Sequence, residues 1–96
     1  MEIEFDDPDL ERLEAEASSA RYAPAVVKGF RKAINFIRAA VDERDLRLPG
    51  LNFKPLEGNR AGQHSMKLND QWRLILEVRG EGKQKKIGII EIADYH

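Results

Sequence analysis

Apolar residues recur at three- and four-residue spacing from Val26 or Val27 through Phe30, Ile34 and Ile37 to Val41, the strongest periodicity in the chain. That spacing predicts a helix with one buried stripe, opened by Pro24 and ending by about Asp45. A shorter helix precedes it. Asp7-Pro8 combines a side chain that accepts first-turn amides with a ring preorganised for the first helical position, and Leu10, Leu13 and Ala17 form a narrow apolar stripe that declines at Ser18-Ser19 and Tyr22. Before that, Ile3 and Phe5 alternate with Glu2 and Glu4, a period of two suited to a short, half-exposed strand at a sheet edge.

The pattern changes after residue 48. Short runs at 52–56, 64–68, 71–78 and 86–93 read as strands, separated by the turn chemistry of Gly58-Asn59-Arg60-Ala61-Gly62, Asn69-Asp70 and Gly80-Glu81-Gly82-Lys83. The last two runs carry apolar residues in both registers, Trp72, Leu74, Leu76 and Val78 with Ile75, and Ile87 and Ile89 with Ile90 and Ile92. They are expected at the centre of the sheet, covered on both faces at least in part. Two helices followed by strands predict an α+β fold, both helices packed on one face of an antiparallel sheet, in a single domain spanning residues 1–96.

Composition narrows what such a domain can do. With 96 residues, one compact site is the most to expect. The absence of cysteine removes disulfides, thiolate nucleophiles and zinc–thiolate sites together, so no cofactor or metal is expected. No apolar run is long enough to span a bilayer and no signal peptide is evident, which points to a cytoplasmic protein without membrane association. A net charge of −1 hides an uneven distribution: residues 1–20 hold eight acids and one base, the remainder fifteen bases and nine acids. An acidic first fifth beside a basic remainder suits either a polyanion partner or an ordinary solvated helix face.

Two features concentrate candidate chemistry. Arg73 falls inside a strand, read as an inward-facing cation, where a charge needs a reason. The chain closes on Asp94-Tyr95-His96, which holds one of its two histidines next to a carboxylate and a phenol. If the last strand lies beside 71–78, this triplet approaches the face that displays Arg73. A cation, a carboxylate, a phenol and an imidazole, with Lys54 nearby, form a set able to do general acid–base chemistry at a phosphodiester without a metal. Lys83, Lys85 and Lys86 form a hairpin cluster that reads equally as a solvated turn or as a contact to RNA phosphates. His64 and Trp72 read as packing residues.

The order of elements, Leu48-Pro49-Gly50, the frame of Pro55, Leu56, Gly58, Arg60 and Gly62, then Ser65, Asn69, Trp72-Arg73-Leu74 and the closing Asp94-Tyr95-His96, resembles the HigB-like toxins of the RelE/ParE superfamily over nearly the whole chain. The resemblance implies a RelE-like fold and a toxin of a type II toxin–antitoxin module, of the plasmid-maintenance killer type. Its implied partners are a helix-turn-helix antitoxin, through which alone it meets operator DNA, and the ribosome with its mRNA. The implied activity is that of a metal-independent endoribonuclease cutting translated message by 2′-hydroxyl attack. Arg73 would stabilise the scissile phosphate, Tyr95 would stack on or orient a base, and His96 with Asp94 would handle protons. Arg60 would grip phosphate or pair with an aspartate. Where relatives often read His-Pro-Leu-Lys-Gly, this chain reads Lys54-Pro55-Leu56-Glu57-Gly58. Lys54 is then a phosphate ligand or general acid, and Glu57 a base or a turn residue. The alternative within the same fold is a protein that acts by binding, as a gyrase inhibitor of the ParE branch or as an inactive co-repressor with its antitoxin.

Overall fold

The structure, a computed structural model, describes residues 1–16 and 18–94. Strand β1 (Glu2–Phe5) leads into helix α1 (Pro8–Ala15) and helix α2 (Pro24–Ala39); β2 (Lys54–Pro55), β3 (His64–Lys67), β4 (Trp72–Arg79) and β5 (Lys86–Asp94) follow. They form one sheet in the order β1-β5-β4-β3-β2. The pairings among β2, β3, β4 and β5 are antiparallel, as expected, whereas β1 runs parallel to β5. The expectation of a wholly antiparallel sheet is corrected at this one edge. Here the helices and the other strands together form the crossover that a parallel pair needs, because β1 and β5 are the first and last strands of the chain.

Both helices cover one face of the sheet. Leu10 and Leu13 of α1 and Val26, Val27, Phe30, Ile34 and Ile37 of α2 share a buried cluster with Leu74, Leu76, Ile87, Ile89 and Ile92. Asp7 caps α1, its side chain accepting from the Asp9 amide, with Pro8 in the first turn. The helix closes at Glu16, so the expected contribution of Ala17 lies outside the described residues.

Helix α2 stops six residues short of its expected end. Asp42 and Asp45 explain the break. The Asp42 carboxylate accepts from the Arg44 amide, and that of Asp45 reaches back to the Val41 and Asp42 amides, a capping box that starts a separate 3-10 turn over Glu43–Leu46. Val41, placed in the buried stripe by its spacing, is therefore 89% exposed, and Leu46 is buried instead. The Met1 nitrogen donates to the carbonyls of Ile37, Arg38 and Ala40, meeting the negative end of the α2 dipole.

A β-bulge at Ile90 accounts for the double apolar register of β5. Ile75 pairs with Glu91 and Leu76 with Ile89, so Ile90 is the extra residue. The bulge lets Ile87, Ile89 and Ile92 all face the helices, although Ile92 is out of step with the other two. Strand β2 shrinks from five expected residues to two. Asn52 takes a positive φ of 48°, which breaks extended pairing on one side, and the 58–62 turn begins soon after Pro55.

Candidate active site

The sheet face turned away from the helices is where the candidate residues collect. Strand alternation places Arg73, Ile75, Glu77 and Arg79 of β4 there, because Leu74 and Leu76 between them are buried in the core. Arg73 thus faces away from the helices, and the expectation of an inward-facing cation is corrected. A strand residue flanked by two core leucines must point the other way.

Cross-strand register sets the rows of this face. Lys67, Arg73 and Ala93 lie in one row, and Lys54, Ser65, Ile75 and Glu91 in the next. Lys54 and Arg73 therefore share a face, their backbones about 12 Å apart from strand spacing and rise, a gap that a lysine and an arginine side chain can close together. Arg73 is half-buried and held by one end of its guanidinium. Its Nη1 donates to the Asn69 carbonyl at 2.6 Å and to the Trp72 carbonyl at 3.2 Å. Asn69 in turn accepts at its side-chain oxygen from the Gln71 and Trp72 amides, at 2.9 and 2.7 Å. The turn sequence before β4 is thus the device that aims the arginine.

Arg60 reaches the same face from the 58–62 turn. Its Nη2 donates to Glu91 at 3.2 Å and its Nη1 to Gln63 at 3.0 Å. The expected aspartate partner is a glutamate on β5. Glu91 is a diagonal neighbour of Arg73, roughly 7–8 Å away, so a carboxylate stands between the two arginines. Ser65, 2% exposed, sits beneath them, and Lys67 lies beside Arg73 with Asp70 3.2 Å from its Nζ. Neither Glu91 nor Lys67 was singled out from sequence. The signal for Glu91 was positional, since it is a charge within the isoleucine-rich run of β5; Lys67, in the mixed strand His64–Lys67, gave none.

Of the terminal triplet, Tyr95 and His96 lie outside the described residues. Asp94 ends β5 opposite Trp72 and accepts from Gln71 Nε2 at 3.2 Å, which places it on the helix side of the strand end rather than in the Arg73 row. Trp72 packs edge-on against Tyr22, with ring centroids 6.1 Å apart, as a packing residue should. His64 also faces the helix side, paired with Leu76 and stacked on Phe53 at 4.7 Å. Burial pushes its pKa below the ordinary value, keeping the ring neutral.

The hairpin lysines are not gathered with these groups. Lys86 pairs with Arg79, six residues from Arg73 along β4 and about 20 Å away. Lys85 Nζ lies 2.8 Å from Glu43, and Lys86 Nζ 2.6 Å from Glu4, so two of the three are neutralised within the chain. Lys83 stands at the tip of the turn, within the short 3-10 segment Gly82–Gln84. Among the described residues, no three of the His, Asp and Glu side chains gather into a group that could hold a metal ion.

Comparison with known proteins gives a consistent picture. The family described as the RelE-like toxin of type II toxin–antitoxin system HigB matches residues 3–96. Toxin HigB-1 of Vibrio cholerae serotype O1 is 39% identical over 80 residues, covering 80% of this chain and 83% of that protein. Among solved structures, the YoeB/ParE toxin from Agrobacterium tumefaciens superposes with a TM-score of 0.67 at 18% identity, covering all of both chains. YafQ from E. coli strain BL21(DE3) does so with a TM-score of 0.60 at 13% identity, covering 97% of this chain and 91% of that one. At these identities the two structures speak to the fold alone.

Proposed function

The chain belongs to the HigB-like family of RelE-like toxins of type II toxin–antitoxin systems, and from that membership we propose that it is a ribosome-dependent mRNA endoribonuclease working on the open face of its sheet. A toxin of such a system implies an antitoxin partner. The observation that carries the reading is the pinned Arg73, held by the Asn69 and Trp72 carbonyls on the face it shares with Lys54. A guanidinium fixed before substrate arrives needs little reorganisation when charge develops at phosphorus.

In the proposed reaction the 2′-hydroxyl of the message attacks the adjacent phosphorus and gives up its proton to a base. The bond from phosphorus to the 5′-oxygen breaks and that oxygen takes a proton, leaving a 2′,3′-cyclic phosphate and a 5′-hydroxyl. Arg73 stabilises the equatorial oxygens, and Lys54 binds the phosphate or protonates the leaving oxygen. His96 handles protons, Asp94 acts through it from the helix side of the strand end and not at the phosphate itself, and Tyr95 orients a base, roles that rest on the family resemblance. Arg60 and Lys83 follow the backbone of the bound RNA, whereas Lys85 and Lys86 stay with Glu43 and Glu4. The scheme calls for no metal ion, and its setting is the cytoplasm, where translating ribosomes are found.

Primer extension on a defined message tests this, with purified protein added to stalled ribosomes or to naked RNA. Cleavage at the A-site codon only in the presence of ribosomes is the expected result. No cleavage in either tube, from protein that still arrests growth, would move the assignment to a toxin that acts by binding.

A further inference from the structure

The outer face of α2 carries a second surface that the proposed reaction does not use. A shallow trough of about 740 Å³ runs along it, floored by Pro24, Val27, Phe36 and Ala39 and edged by Lys28, Arg31 and Lys32. It continues past Lys32 and Phe36 into a hollow of about 200 Å³ bounded by Leu48, Pro49 and Leu51. Leu48 is 41% exposed, one of two large apolar side chains left on the surface among the described residues. The α2 spine spans about 24 Å at the helical rise per residue, room for roughly four turns of a partner helix.

Charge on this strip is one-sided. Lys28, Arg31 and Lys32 make no ion pair among the described residues, whereas Arg38 on the same helix is held by Glu14 and most other bases of the chain have a carboxylate within reach. Three cations with no carboxylate in ion-pair range, of which Arg31 alone feels Glu14 from farther off, complement, beside an apolar floor, a partner that is acidic along one edge and apolar along the other. RNA supplies the acidic edge but has no aliphatic side to cover Phe36, Ala39 and Leu48. A helix with carboxylates at i, i+3 and i+4 beside leucine-type anchors supplies both.

We propose that this strip is the docking site for an acidic amphipathic helix of the antitoxin. The inference rests on the toxin–antitoxin membership but not on the cleavage reaction. Lying on the helix side of the molecule, the strip would let the antitoxin bind without touching Arg73 or Lys54.

The test compares wild type with the triple variant Lys28→Glu, Arg31→Glu, Lys32→Glu, and with the corresponding triple glutamine variant. Each is checked for an unchanged melting temperature, then titrated with the purified cognate antitoxin at low and high salt. Reversal of three rim charges is expected to weaken the antitoxin by on the order of a hundredfold at low salt. The glutamine variant should fall between the two and lose most of its salt dependence, and ribosome-dependent cleavage by the free toxin should be unchanged in both. Antitoxin affinity within threefold of wild type in the reversed variant would overturn the inference. So would intact antitoxin binding with lost ribosome association, which would make the strip an RNA contact. Wild-type protein that binds antitoxin through this strip but never cleaves message would refute the proposed reaction and leave the docking site standing.

Discussion

Arg73 and Glu91 show how much a single strand position decides. Both sit at alternate positions of apolar strands, where the open face needs no further burial, so each charge is available for chemistry at small cost to the core. Arg60 is stationed beside them by Glu91 and Gln63. Replacing Glu91 with Gln is expected to loosen Arg60 and raise the apparent KM for programmed ribosomes while leaving the melting temperature nearly unchanged, because the pair is surface-exposed and such pairs contribute at most about 1 kcal/mol. Steady-state cleavage kinetics check this, and a collapse in stability with unaltered kinetics would assign the pair to the fold. His64 answers a different question. Its folded pKa is lowered by burial, so the neutral ring is what the fold accommodates. The unfolded chain binds the proton more readily, and stability is complete above the ordinary value of 6.5 and is lost as pH falls through the lower folded value. The His64→Phe variant, which keeps the stack on Phe53, should flatten this part of the pH–stability curve. Denaturant midpoints from pH 8 to pH 5 would show it, and an unchanged slope would mean another group is responsible.

At the scale of elements, the helix stripe and the alternating strands were legible in the sequence because burial repeats with the period of each element. What escaped was decided by side chains acting on backbone. Asp42 and Asp45 end one helix and start another turn while the apolar spacing carries on to Val41, and nothing in periodicity distinguishes the two cases. The Ile90 bulge has the same character, since an isoleucine run in two registers reads as a doubly covered strand until one residue is set aside. Lys54 and Arg73 stand out in the sequence as candidates and the fold puts them on one face, but Glu91 does not stand out, because its meaning depends on which strands neighbour β5. Gly29 offers a test of element packing. A Cβ there would overlap the carbonyl oxygen of Leu68, where α2 crosses the turn after β3. Backbone cannot swing aside as a flexible side chain can, so Gly29→Ala should destabilise by about 1–3 kcal/mol despite its higher helix propensity. Urea unfolding measures it, and a neutral or stabilising result would mean that the helix does not approach the turn so closely.

Across the whole molecule, charge is sorted by face. Arg79 lies over Gly88 and meets Glu4, Asp6 and Glu77 at 2.6–2.7 Å, joining β1 to the β4–β5 pair where the chain's first strand meets its last. Hydrogen bonds from Lys86 and Arg79 lower the Glu4 pKa, one from Arg79 lowers that of Asp6, and the Arg44 amide brings Asp42 down to about 2. These carboxylates stabilise the fold fully above their ordinary values of 4.5 and 3.8, and the contribution is lost as pH falls through the lowered folded values. Melting temperatures should therefore drop between pH 4 and pH 2, less steeply in high salt, and an acid-insensitive melt would deny the network any role. The far end of the same open face is where cleavage is proposed. Its most direct test is the single-turnover cleavage rate of Arg73→Ala on saturating programmed ribosomes, with antitoxin affinity measured on the same preparation. The expected result is a loss of about 10²–10³-fold in rate with antitoxin binding intact, the cost of removing one preorganised charge from a transition state. Cleavage at the wild-type rate by a folded, antitoxin-competent Arg73→Ala protein would contradict the assignment of the open face as the site of RNA cleavage.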